Sequence, residues 1–217
     1  MITLALDAAT YSGTVALLEA GGVVGSSAVP MRRSDRETLM PAVADLLISV
    51  HIEAKSIGRI VCGAGPGSFT SLRIAAAIAK GLAVGLRRPL FAVSSLALVA
   101  ANDALHPGRY LVALDALRGE YYVALYDRTT DHVTEVFPSR LTRTDELTTL
   151  SSTHSAVLVG PGLEIDLAPH AAGSVRCEML IASAGPVDLI SWEPAYGRKA
   201  EAQVKWEAAH GRPLASG

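Results

Sequence analysis

Short apolar runs broken by turn residues fill the first thirty positions. Ile2–Leu6, Gly13–Glu19 and Val23–Ala28 read as a three-stranded meander, turning between its second and third strands at Ala20-Gly21-Gly22. The period then changes. Leu39, Val43, Leu46, Leu47 and Val50 recur at helical spacing, and Ser34 with Glu37 makes a capping-box pattern just upstream. Pro41 lies inside this pattern, so either the helix kinks there or its regular part begins near Thr38. A strand at 57–63, a helix from about 69 to 86, a strand at Leu90–Val93 and a short helix from Ser94 to about Leu105 follow. His106-Pro107-Gly108 then reads as a break, which divides the chain into residues 1–105 and 106–217.

After the break the pattern starts again. Sliding the chain by 108 positions lays Ala5-Leu6-Asp7-Ala8 on Ala113-Leu114-Asp115-Ala116 and Val15-Ala16-Leu17 on Val123-Ala124-Leu125, seven identities in thirteen positions. Two aspartates coincide at matching strand ends, which favours duplication over chance matching of common apolar residues. A duplicated β-β-β-α-β-α unit, with an acid at the first strand turn of each copy, is the α/β plan of the actin, sugar kinase and Hsp70 (ASKHA) class. The second copy is poor in helices. Thr144–Leu150 and Asp188–Trp192 are its modest candidates, beside a strand at Ala156–Val159, so this lobe is expected to be truncated.

Composition narrows the function classes. Half of the 217 residues are apolar, enough for a sizeable core, while 18% are charged with a net charge of −2, so no basic face for direct RNA binding is visible. Aromatic residues, at 5%, are too scarce for a base-stacking surface. Cys62 and Cys177 lie far apart in apolar surroundings and read as reduced core thiols. The chain enters a strand directly after Met1, and its longest apolar stretch, Ile74–Leu86, carries Lys80 and is shorter than the ~20 residues of a bilayer span. A cytoplasmic location without membrane attachment is the resulting expectation.

The candidate chemistry centres on Gly65-Pro66-Gly67-Ser68-Phe69-Thr70, where an apolar strand runs through two glycines into a helix. Such a turn lets a phosphate or another backbone come close, and Ser68 or Thr70 can cap the helix; a tight turn touching no ligand is the plain alternative. Asp7 with Thr10 and Ser12, and Asp115 with Gly119, are candidate phosphate loops. Turn acids satisfied by backbone N–H groups are the competing reading. His51, His106, His132, His154, His170 and His210 include no pair four apart, so no metal site is expected. The helix after the glycine turn is rich in small apolar residues on nearly every side. It is therefore either fully internal or exposes an interaction stripe. Arg73, near its start, opposes the helix dipole and calls for a compensating acid from this chain or a partner.

Gly65-Pro-Gly-Ser-Phe-Thr-Ser-Leu-Arg73 resembles the G-P-G-S-F-T-G-L-R signature of the TsaB/YeaZ proteins, with Ser71 in place of the last glycine. The likeness extends to Leu4–Thr10, Val93–Leu96, Asp115–Tyr122 and Pro194-Ala195-Tyr196-Gly197-Arg198; Asp35 stands where many members have histidine. The resemblance implies the ASKHA fold and a non-catalytic scaffold subunit in tRNA threonylcarbamoyladenosine synthesis. Its expected partners are the catalytic paralogue TsaD and the ATPase TsaE, with tRNA engaged only through the complex and a homodimer possible when alone. The two helices would then dock the paralogue through Leu39, Val43, Leu47, Leu72, Arg73, Ala76 and Lys80. Asp7, Thr10, Gly65, Gly67, Ser68 and Asp115 would form a vestigial nucleotide site. No resident cofactor is expected, although ATP or ADP with Mg can enter the complex. A self-sufficient ATPase or phosphotransferase using Asp7, Thr10 and Asp115 is the alternative.

Overall fold

Continuous burial at the centre and alternation at the edge organise the first sheet. In the computed structural model, which describes residues 1–31, 36–197, 206 and 209–211, β1 (Ile2–Asp7), β2 (Ser12–Glu19) and β3 (Gly22–Pro30) form the antiparallel meander. Strands β4 (Ile57–Gly63) and β5 (Leu90–Val93) extend it in parallel, giving the order β3-β2-β1-β4-β5. Every residue of β1 is buried, as a central strand covered on both faces requires, whereas β3 lies mostly exposed at the edge.

Helices α1 (Leu39–Ser49) and α2 (Phe69–Leu86) lie side by side on one face, α1 against β2 and β3, α2 against β4 and β1. Leu39, Val43 and Leu46 from α1 meet Ala75, Ala79 and Ala83 from α2 around Leu4, Leu6 and Leu17. Pro41 causes no kink. It is the third residue of α1, where the backbone N–H has no intrahelical acceptor, so its missing donor costs nothing. The Glu37 carboxylate accepts from the N–H groups of Leu39 and Met40 and closes the helix start; Ser34, the expected box partner, lies outside the described residues. By length and composition α2 is apolar enough to cross a membrane; its Leu72, Ala75, Ala76, Ala79 and Ala83 stripe is buried within the chain, and its other side is half-buried or exposed.

A short helix, α3 (Ser95–Ala100), leads to the second sheet, in which β6 (Gly108–Asp115), β7 (Glu120–Arg128), β8 (Val133–Arg143) and β9 (Val157–Val159) run in the order β8-β7-β6-β9. Asp7 and Asp115 end β1 and β6, each paired antiparallel to the next strand, as the duplication predicts. Among the described residues this sheet has no counterpart of β5, so the ASKHA plan is present with a truncated second lobe. The predicted helix at 144–150 forms as a 3-10 turn followed by α4 (Leu147–Thr153). The predicted helix from Ser94 to about Leu105 stops at Ala100, where the Arg128 guanidinium takes the carbonyls of Ala100 and Asn102.

Asp188–Trp192 is not a helix. Asp188 Oδ1 accepts from the N–H groups of Ile190 and Ser191 and from the Ser191 hydroxyl, which closes a turn instead. An unpredicted helix, α5 (Glu178–Ala184), precedes it. This late segment returns to the first sheet. Arg59 on β4 holds Glu178 through two bonds of 2.7 and 2.6 Å, and the Val187 N–H donates to the Leu90 carbonyl at 2.8 Å. A shared apolar core passes from Ala5, Ala16 and Val61 through α3 to Val112, Leu114 and Ala124.

Candidate functional site

The ends of β1 and β4 meet at the glycine turn. Asp7, fully buried, accepts from the Ala9 N–H at 3.0 Å and from Ser95 Oγ at 2.5 Å, and Ser95 Oγ in turn accepts from the Gly65 N–H at 3.1 Å. Burial pushes the Asp7 carboxyl above the ordinary carboxylate range, against the opposing pull of those two hydrogen bonds. Ser95 was not among the predicted residues. Its signal was a serine pair directly after β5, where a strand hands over to a helix.

Both glycines of the turn are filled by protein backbone. A Cβ on Gly67 would lie 2.2 Å from the Ala9 carbonyl oxygen, and one on Gly65 would lie 2.6 Å from the Ala195 carbonyl oxygen. The Ser68 N–H donates to the Ala9 carbonyl at 2.7 Å, and the Ala195 N–H donates to the Ala64 carbonyl at 2.7 Å. The close approach that the glycines permit thus serves the loop after β1 on one side and the chain at Ala195 on the other. Ser68 sits at the N-cap position of α2, yet its hydroxyl bonds Ser71 Oγ at 3.0 Å rather than the helix backbone. Ser71, the departure from the family signature, is itself buried and is accommodated by that bond.

The remaining nucleotide candidates, Thr10 and Asp115, make turn hydrogen bonds. Thr10 Oγ1 accepts from the Ser12 N–H at 3.4 Å. Asp115 is exposed and accepts from the Leu117 N–H at 2.7 Å, closing a hairpin in which Leu117 and Arg118 both have positive φ. Each acid thus accepts a backbone N–H two residues on, from Ala9 for Asp7 and from Leu117 for Asp115. None of these residues lines the cavity of about 590 Å³ on the second lobe, which is bounded by Arg140, Thr142, Asp145, Glu146 and Thr149. The thiols offer no nucleophile: burial pushes Cys62 far up and Cys177 to about 12, so both stay protonated at neutral pH.

The helix pair requires a correction. Leu39, Val43, Leu72 and Ala76, expected at a docking surface, are buried in the chain's own core and present nothing to a partner. Leu47 and Lys80 are half-buried, and Arg73 is exposed. Lys80 lies over the Trp192 ring with Nζ 5.7 Å from its centroid. The outward side carries other residues: Met40, Ala44 and Ile48 on α1, and Ala77, Gly81 and Val84 on α2. Ile48 is 70% exposed and Val84 64%, large values for aliphatic side chains.

The model of the family described as "TsaD: tRNA N6-adenosine threonylcarbamoyltransferase" matches residues 6–181. Proteins named tRNA threonylcarbamoyladenosine biosynthesis protein TsaB are similar: that of Bacillus subtilis is 34% identical over 64% of this chain and 61% of its own length. That of Escherichia coli is 38% identical over 59% of this chain and 56% of its own. The chain thus matches less than two thirds of the length of these curated relatives. A Pseudomonas aeruginosa structure described as similar to peptidase YEAZ superposes with a TM-score of 0.77 at 28% identity, covering 91% of this chain and 99% of that one. With the family model spanning both lobes and the signature turn in place, the chain belongs to the TsaD-type family and, within it, to the TsaB/YeaZ branch.

Proposed function

We propose that this protein is a non-catalytic scaffold or activator in the synthesis of threonylcarbamoyladenosine on tRNA, docking a catalytic TsaD-type paralogue through the outward side of α1 and α2. The observation that carries this reading is the exposure of Met40, Ala44 and Ile48 on α1 and of Ala77, Gly81 and Val84 on α2. Small residues on α2 let a partner helix approach near the lower end of the usual ~8–10 Å axis separation. Names of similar proteins support the pathway. TsaE and tRNA would then meet this chain as further members of the same assembly, in the cytoplasm.

Several features weigh against a self-sufficient ATPase. Phosphoryl transfer needs an acid free to hold metal and a loop free to hold phosphate. Here Asp7 is sealed behind Ser95, and the glycine turn is filled by backbone on both sides. Mixing the chain with the TsaD-type paralogue of the same organism tests the proposal by size-exclusion chromatography with light scattering. A defined heteromeric peak is expected, and Val84→Glu should remove it while leaving the isolated chain folded. Failure of the wild-type chain to associate would overturn the docking reading.

A further inference from the structure

A second feature of α2 lies at its first turns. Tyr196, from the segment that crosses the glycine turn, places its ring 4.5 Å from that of Phe69, and the Arg73 guanidinium lies over the same Phe69 ring at 5.3 Å. Residues 69 and 73 are one helical turn apart, so the three side chains lie one against the next along the start of α2, the two rings tilted by 45°. The cluster is held from both lobes. Ala195 is bonded to Ala64 on the first, and the Tyr122 hydroxyl donates to the Tyr196 carbonyl at 3.1 Å from the second.

Arg73 is exposed and stands where a cation is disfavoured by the helix dipole, and among the described residues no acid pairs with it. Three acids of the chain are engaged elsewhere. Glu193 accepts from the Tyr196 hydroxyl at 2.8 Å, Asp7 is buried with Ser95, and Glu37 caps α1. A guanidinium resting on a ring keeps its N–H donors available in its own plane, already oriented for a two-bond grip on a carboxylate. It also shares its side of α2 with Ala77, Gly81 and Val84 at helical spacing.

We infer that the Tyr196–Phe69–Arg73 cluster is a preorganised carboxylate-recognition point, and that its ligand is an Asp or Glu side chain on the docking surface of the catalytic paralogue. This rests on the docking reading above and adds to it a charge and a location. The segment Pro194–Gly197 thereby acts as a positioning element: it supports the ring on which Arg73 lies.

Isothermal titration of the full chain against the purified paralogue, at low and at physiological salt, tests this. Arg73→Gln should weaken binding roughly tenfold or more and flatten its salt dependence, and Arg73→Lys should recover only part of the loss. Tyr196→Leu should weaken binding several-fold and increase hydrogen exchange at the amides of residues 69–73, whereas Tyr196→Phe, which keeps the ring, should not. Wild-type affinity in Arg73→Gln, while Val84→Glu fails to bind, would overturn the inference and leave the docking surface standing. Wild-type affinity in both variants would remove the docking reading and the inference with it.

Discussion

Exchanging single glycines for alanine at two places in the chain should have opposite effects. At Gly67 an added Cβ would stand 2.2 Å from the Ala9 oxygen and 2.8 Å from its carbonyl carbon and Cα, all backbone atoms. Relief requires the two strand-end loops to part by about 1 Å, which overpacking experience places at about 1–3 kcal/mol. The 2.7 Å bond from Ser68 N–H to the Ala9 carbonyl is lost in the process, adding about 0.5–1.5 kcal/mol. Gly67→Ala should therefore destabilise by about 1.5–4.5 kcal/mol. At Gly81, inside α2, a Cβ meets nothing within 4 Å, so alanine should stabilise by about 0.8–1 kcal/mol through helix propensity alone. Urea unfolding of the isolated chain, followed by circular dichroism, separates the cases: with a slope of about 2–3 kcal/mol/M, the midpoint falls by about 1 M in the first and rises by a few tenths in the second. A Gly67→Ala midpoint equal to wild type would refute the reading that this glycine exists for backbone contact.

Asp7 has its carboxyl raised by burial, so the fold favours its protonated form; that contribution is full below the ordinary value of 3.8 and is lost as pH rises through the folded value. Asp7→Asn should accordingly gain on wild type in urea midpoint as pH goes from 4 to 7, and a difference that does not change with pH would count against it. Glu178 is lowered, chiefly by its bonds from Arg59, so the stabilisation exists above 4.5 and disappears as pH falls through the folded value. Arg59→Met should cost about 1–3 kcal/mol at pH 7 and much less near pH 3, and equal losses at both would exclude the ion pair as the cause. Cys62 and Cys177, both buried, should react with a thiol-disulfide reagent only at the rate of unfolding; fast reaction in native buffer would show that one is accessible.

Much of the first lobe is legible in the sequence, because its inner strands are buried runs ending in turn residues and α2 is bounded by the glycine turn and Arg87. The duplication is readable from the two strands that match at an offset of 108, with Asp7 and Asp115 at corresponding ends. Less was readable where short elements depend on tertiary partners. Helix α5 is seven residues long and is held by Arg59, 119 positions away. The turn at Asp188 shows a helix-like composition that one carboxylate redirects. That Leu39, Val43, Leu72 and Ala76 are buried rather than outward-facing is not legible in the sequence for a specific reason. Helix α2 is small and apolar nearly all round, so periodicity gives no preference between Ala76, which is buried, and Ala77, which is exposed. Only the position of the sheet decides it. The glycine turn left open whether phosphate or backbone approached, and Ala9 and Ala195 answer with backbone.

The central claim, docking without catalysis, is tested most directly by reconstituted threonylcarbamoyl transfer to tRNA with the paralogue, its ATPase partner and this chain. Activity should depend on the wild-type chain and be lost with Val84→Glu. It should stay within a few-fold of wild type with Asp115→Ala, whose carboxylate only closes a hairpin. A loss of ~10³-fold or more in turnover with Asp115→Ala, at unchanged assembly, would contradict the account and place chemistry in this subunit.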